Sequence, residues 1–222
     1  MSQPALETLF ENEAILSVNK PEGIASIPER DLSIPSVRRV LEEQRGESLF
    51  VVHRLDKEVS GVLLFAKTAS AHRELSLAFE QRRVDKRYLA VVKGRIERDE
   101  LVIDAPLREY GSGRMGVDPR GKASLSRVTV LGRTPSHTLV EVRPETGRRH
   151  QIRAHLYSEG HGLVGDTRYG DRPAPGDDRL MLHAFRLGLS ELSFSAPASI
   201  EAPLGESFRQ GLSRLGLVPP RA

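Results

Sequence analysis

The chain has 222 residues, enough for one large domain or two small ones with a buried core. Apolar residues at 38% and charged residues at 28% describe an ordinary globular protein, and the lack of cysteine excludes disulfides and cysteine-ligated metals. Net charge is only +3 but uneven: residues 1–35 carry a net −4 and residues 82–155 a net +8. The basic block suits a polyanion partner, and it equally suits a solvated basic face. No apolar run approaches the roughly 18 residues of a membrane helix. The acidic start "MSQPALETLFENEAIL" lacks the layout of a signal peptide, so a cytoplasmic protein is expected.

In chain order, residues 14–18 (AILSV) predict a short strand that ends in the turn "NKPEG". Residues 36–45 follow a proline and precede a glycine, which predicts a short helix. "LFVV" and "GVLLFAKT" predict strands on either side of a charged turn at residues 53–58. Ser70 is read as the cap of a following helix whose apolar positions are Leu75, Leu77, Ala78 and Phe79. "RYLAVVKGR" predicts a strand, and "SRVTVLG" and "HTLVEVRP" a hairpin joined through "RTPS". "TGRRHQIRAHLYSEG" predicts a helix that stops at Gly160. "LMLHAFRLGL" predicts a strand with apolar residues on both faces, and residues 206–215 a final helix. Strands dominate with helices interspersed, so the fold class is α+β with a mixed or antiparallel sheet.

Three patterns fail on context. "GSGRMG" (residues 111–116) and "GVDPRGKA" imitate phosphate-binding loops. Both need a strand before and a helix after, yet Pro119 interrupts and Ala123 stands where a hydroxyl would meet magnesium. This stretch reads as a flexible Gly/Arg loop. "HRLD" has the wrong order for the kinase catalytic loop. His150, His155 and His161 fall on different faces of a helix, so no shared metal is expected.

The charged turn is different, because a plain hairpin needs no Arg54 or Asp56. A carboxylate there can act as nucleophile or base if a cation keeps it ionised while water is excluded. "TGRRHQIR" can supply that cation, with Arg149 and Arg153 four apart on one expected helix face and Arg148 and Arg149 able to meet phosphate. Tyr88, between Lys86 and Arg87 on one side and an apolar run on the other, is a candidate to stack on a base. Singly, each of these residues is more often structural than functional; only their combination shifts the balance toward a functional site.

"HRLDKEVSGVLLFAK" closely resembles the signature of the RluA-type pseudouridine synthases, HRLD-x-x-T-S-G-[LV]. "NKPEGI", "DKRYLAVVKG", "TGRRHQIRAHL", "LVGDTRYG" and "LMLHAFRL" resemble that family's other blocks in the expected order, over about residues 10–205. Val59 replaces the usual threonine. The resemblance implies the pseudouridine synthase fold: a central mixed, mostly antiparallel, bifurcated sheet with flanking helices and an RNA-binding cleft. It implies isomerisation of uridine to pseudouridine in ribosomal or transfer RNA, without cofactor or metal. Asp56 would be the catalytic carboxylate, acting on the sugar, on the base, or on a ribose proton. Tyr88 would stack on the flipped uracil, Arg153 would pair with Asp56, and Arg54 would fill the gap in the RNA stack. Arg148, Arg149, Arg114, Arg120 and Lys122 would bind RNA. The chain reaches its first block by residue 16, so a single catalytic domain over 1–222 is expected, without the small N-terminal RNA-binding domain of many relatives and as a monomer. An inactive RNA-binding module and a glycosidase-like hydrolase are the other readings. The presence of Asp56, Tyr88 and Arg153 argues against the first, and the lack of a second placed carboxylate against the second.

Overall fold

In the computed structural model the described residues are 6–219, apart from 30, 32, 112, 171–175, 177, 178 and 191. The chain divides into two compact units, Met1–Asp85 with Ala184–Pro203, and Lys86–His183 with Leu204–Ala222.

The first unit opens with strands β1 (Glu7–Glu11) and β2 (Ile15–Lys20), followed by helix α1 (Val37–Arg45). Ser36 caps α1 through Arg39 N–H, and Gly46 closes it in the left-handed conformation, as Ser and Gly at those positions favour. A short β3 (Phe50–Val51) precedes β4 (Ser60–Ala66), and helix α2 (Ala69–Glu80) follows. β2 pairs with both β1 and β4 in antiparallel register, with Ile15 opposite Ala66 and Lys20 opposite Gly61. All seven residues of β4 are buried, which explains its near-continuous apolar sequence. Its single glycine is obligatory: Gly61 has φ +116°, and a Cβ there would sit 2.1 Å from the Ala184 carbonyl oxygen. Ile15, Val62, Leu64 and Ala66 pack against Ala71, Leu75 and Ala78 of α2 to form the core. The chain returns through β11 (Leu182–Gly188), which pairs with β12 (Ser199–Glu201).

The second unit is built on β5 (Asp85–Lys93), β6 (Glu100–Asp104), β9 (Leu125–Arg133) and β10 (His137–Pro144). β10 pairs with β5 and β9, and β9 with β6, all antiparallel. Between β6 and β9 lies a two-stranded hairpin, β7 (Leu107–Glu109) and β8 (Met115–Val117). Helices α3 (Gln151–Ser158) and α4 (Glu206–Arg214) complete it. None of the four helices among the described residues is long and apolar enough to cross a membrane.

The α+β class agrees with the expectation, and three local readings are corrected. Helix α2 is capped by Thr68, not Ser70: Thr68 has the extended φ/ψ of a cap and accepts the Ala71 N–H, and Ser70 instead meets the Thr68 hydroxyl. The helix expected from Thr146 begins only at Gln151, because His150 adopts φ +49° and breaks the helical run. Arg149 therefore lies outside the helix and shares no helix face with Arg153. The supposed Gly/Arg loop is largely the β7–β8 hairpin, in which Tyr110 N–H donates to the Arg114 carbonyl across the turn. Strands β1, β6 and β12 are additional to those the sequence pattern predicts.

Candidate active site

The charged turn between β3 and β4 is braced from two sides. Ser26 Oγ accepts the Leu55 N–H at 3.0 Å and donates to the Leu55 carbonyl at 2.8 Å. Ser26 is itself fixed by the start of α1, where Arg38 N–H donates to its carbonyl at 3.1 Å. On the other side Lys20, fully buried, donates from Nζ to the carbonyls of Val59 (2.6 Å), Pro21 (2.9 Å) and Lys57 (3.1 Å). Gly23 N–H adds a further bond to Lys57, and Val59 N–H donates to the Asp56 carbonyl. An ammonium has three donors, so one side chain ties the "NKPEG" turn to the turn that carries Asp56. His53 is held through Nε2, which accepts the Leu64 N–H at 3.0 Å, and its ring stacks on Phe79. Between these anchors Arg54 is exposed and Asp56 is half-buried. Val59, where threonine is usual in the resembled signature, is buried and supports the turn through its backbone. The absent hydroxyl removes none of these bonds.

In the second unit Tyr88 sits on β5 opposite Val142 of β10. Alternation along the strand puts Tyr88 and Lys86 on one face and Arg87 on the other. Arg87 pairs with Glu141 at 3.2 Å, and Lys86 Nζ donates to the Thr146 carbonyl at 3.3 Å.

Arg153 is buried on α3. Its Nε and Nη2 donate to Asp166 Oδ2 and Oδ1 at 2.8 and 2.7 Å, a bidentate pair closed from solvent. Asp166 Oδ1 also accepts the N–H groups of Arg168 and Tyr169. The buried Tyr169 lies beneath the Arg153 guanidinium, whose Cζ is 5.3 Å from the ring centroid. Its hydroxyl accepts the Met115 N–H at 2.8 Å and lies 3.0 Å from His150 Nδ1. Burial raises the Tyr169 pKa, so the phenol stays protonated.

The start of α3 uses a side chain from inside the helix. Gln151 Oε1 accepts the Arg148 N–H at 3.1 Å and the Thr146 hydroxyl at 2.6 Å, while Nε2 donates to Leu125 O and Ser126 Oγ. This leaves Arg148 and Arg149 in the approach to the helix. Arg148 Nε donates to the Ala123 carbonyl at 3.3 Å, and Arg149 pairs with Glu109 at 2.7 Å.

The hairpin cations are similarly engaged. Arg114 lies over the Tyr157 and Tyr169 rings, at 4.9 and 5.1 Å from their centroids. Arg120 pairs with Asp118, which also receives Arg108 and the Tyr110 hydroxyl and whose pKa Arg120 depresses strongly. Lys122 is exposed, with its backbone bonded to Leu107. Of the three histidines, His155 bonds Ser126 Oγ and the Ala105 carbonyl, His161 lies against the Lys93 carbonyl, and His150 meets Tyr169.

A family model described as RNA pseudouridylate synthase matches residues 14–158, which include the braced turn, Tyr88 and Arg153. The chain belongs to the RNA pseudouridylate synthase family. The synthase is therefore an isomerase that converts uridine in RNA to pseudouridine. It is 36% identical to a ribosomal large subunit pseudouridine synthase C of Vibrio vulnificus, over 93% of this chain and 68% of that protein. It is also 36% identical to a tRNA pseudouridine synthase C of Salmonella typhimurium, over 95% of this chain and 90% of that one. Among solved structures it is similar to Human RNA Pseudouridylate Synthase Domain Containing 4, at 25% identity and a TM-score of 0.81, covering 97% of this chain and 95% of that one.

Sequence reasoning passes over Lys20, Ser26, Asp118, Asp166 and Tyr169. Lys20 and Asp166 leave a signal inside the motifs "NKPEG" and "LVGDTRYG", where a charged residue stands beside apolar or glycine neighbours.

Proposed function

We propose that the synthase modifies ribosomal or transfer RNA and that Asp56 is the carboxylate that starts cleavage of the uridine N-glycosidic bond. The observation that carries this reading is the brace on the Asp56 turn. Ser26 and Lys20 fix the backbone on both sides of a half-buried Asp56, next to an exposed Arg54. A turn that needed only to reverse the chain would not use a buried ammonium. Rigid presentation of a carboxylate is what catalysis on an extruded nucleotide demands.

In this reading Arg54 occupies the space that the uridine leaves in the RNA stack. Tyr88 stacks on the uracil and its hydroxyl handles the C5 proton. Arg153 pairs with Asp56, while Asp166 fixes the other edge of the guanidinium. After the base is detached and turned, a bond forms from C5 to the ribose C1′, the C5 proton is lost and the freed N1 takes a proton, so the product is an isomer of uridine. Arg114, Arg120, Lys122, Arg148 and Arg149 supply charge to the phosphates. The names of the two bacterial relatives, one for the ribosomal large subunit and one for tRNA, support either RNA as substrate and a cytoplasmic site of action.

Pseudouridine mapping of RNA from cells that lack the synthase, and from cells complemented with wild type or Asp56→Asn, tests the proposal. Specific uridines in ribosomal or transfer RNA should lose modification and regain it only with wild type. Recovery with Asp56→Asn would overturn the role of Asp56, and loss confined to other RNAs would overturn the substrate.

A further inference from the structure

The buried carboxylate of Asp166 has no step of its own in the reaction, yet Oδ1 accepts three hydrogen bonds and Oδ2 a fourth. It takes two guanidinium N–H groups of Arg153 and two backbone N–H groups. Its own placement is over-determined. Val164 N–H donates to Val91 of β5, the strand that carries Tyr88, and Met181 N–H donates to the Val164 carbonyl. Gly165, immediately before it, has φ +73°, and a Cβ there would stand 1.8 Å from the Arg179 carbonyl oxygen. Three residues on, the Tyr169 ring has two cations against it: Arg153 at 5.3 Å and Arg114 of the hairpin at 5.1 Å. Its hydroxyl takes the backbone N–H of Met115, the first residue of β8.

We propose that Asp166 and Tyr169 are positioning residues for the isomerisation, with Asp166 setting the plane of the Arg153 guanidinium and Tyr169 tying that plane to the β7–β8 hairpin. The inference rests on the reading of Arg153 given above. A planar guanidinium gripped along one edge presents its three remaining N–H groups in fixed directions. If Asp166 lets go, the charge stays near but its direction is lost, and a misplacement of about 1 Å can cost about 100-fold in rate. A hairpin that holds phosphate through Arg114 is likewise joined to the guanidinium through a single ring.

The test is single-turnover kinetics of the full chain on a cognate RNA, with RNA affinity measured separately. Asp166→Asn keeps the shape and the backbone acceptors but sets an amide N–H₂ against one guanidinium N–H. It should lower the rate of bound RNA about 30- to 100-fold, leave affinity within about 3-fold, and move the acid limb of the pH–rate profile upward. Arg153→Met and the double variant complete a cycle: if Asp166 acts through Arg153, adding Asp166→Asn to Arg153→Met should cost nothing further. A full additional loss in the double variant, or an Asp166→Asn rate within about 2-fold of wild type beside a crippled Arg153→Met, would overturn the inference. An Arg153→Met variant that works normally would instead overturn the role of Arg153 itself. Tyr169→Phe keeps the ring and removes only the hydroxyl link, so it tests the link even where Asp166→Asn does not fold. It should slow the bound-state rate about 5-fold without loss of affinity, and an unchanged rate would sink the proposed link to the hairpin.

Discussion

Lys20 Nζ lies 2.6 Å from the Val59 carbonyl oxygen, and through it a buried ammonium on β2 holds the turn that presents Asp56. Lys20→Met keeps the length of the stem and removes the charge and its donors. The carbonyls of Pro21 and Val59 would lose this donor in a closed site, so the variant should be about 2–4 kcal/mol less stable. The turn would also loosen, and the single-turnover rate should fall more than about 10-fold even under conditions where the protein is fully folded. Urea unfolding gives the first quantity and enzyme-excess kinetics the second. Normal kinetics in a destabilised variant would show that Lys20 supports only the fold.

Asp56→Asn preserves shape and deletes the charge, and the brace bonds only the backbone around it. Turnover should drop below about 1% of wild type, as loss of a nucleophile or base does. RNA affinity should be retained. Residual activity well above that level would remove Asp56 from the reaction.

Tyr88→Phe keeps the aromatic face, and Tyr88→Leu does not. Phe should retain RNA affinity and lose much of the turnover if the hydroxyl handles a proton; Leu should lose both. Equal and substantial activity of the two variants would rule out stacking as the role of Tyr88.

The charged turn is legible in the sequence because five charged or polar residues interrupt two apolar runs, a pattern that folding alone does not require. The strands that carry the core are legible too: β2, β5 and β10 from their β-branched residues and β4 from its near-continuous apolar run. What escapes is local context set from a distance. No helix rule flags His150, whose left-handed backbone ends the expected helix early and removes Arg149 from it. The β7–β8 hairpin is hidden by glycines that look like flexibility, though Gly116 there lies under the Tyr110 ring. Asp166 cannot be matched to Arg153 from sequence, because the loop between them turns through Gly165. The resemblance assigns Arg153 a partner in Asp56, and the structure adds a second carboxylate that the motifs contain but do not explain.

Stability should depend on pH through His155, whose pKa is lowered from its ordinary value chiefly by burial. The folded protein binds the ring proton less readily than the unfolded chain. This contribution is therefore fully present above the unfolded value of about 6.5, and it is lost as pH falls through the lower folded value. His155→Gln retains a donor and an acceptor for Ala105 and Ser126 but cannot titrate. The stability difference between wild type and this variant should narrow from pH 7 to pH 5, measured by urea unfolding at each pH. A constant difference would mean that His155 is not held neutral.

The exposed hairpin cations Arg120 and Lys122 should bind phosphate without entering the chemistry. Arg114 does not belong with them, because it lies over Tyr169, which in turn contacts Arg153. Arg120 is held by Asp118, but its guanidinium is open to solvent, so RNA phosphate can compete for the cation. Replacing Arg120 and Lys122 with Ser should weaken RNA binding and flatten the slope of log affinity against log salt by about 1.4 to 1.8, the value of two phosphate contacts. Asp118→Asn should do the opposite at the same site: the rival carboxylate is removed and affinity rises at low salt. Single-turnover rates at saturating enzyme should stay at the wild-type level in the double Ser variant. An unchanged salt slope would mean that this end of the hairpin does not touch phosphate, and Arg148 and Arg149, ahead of α3, would become the better candidates.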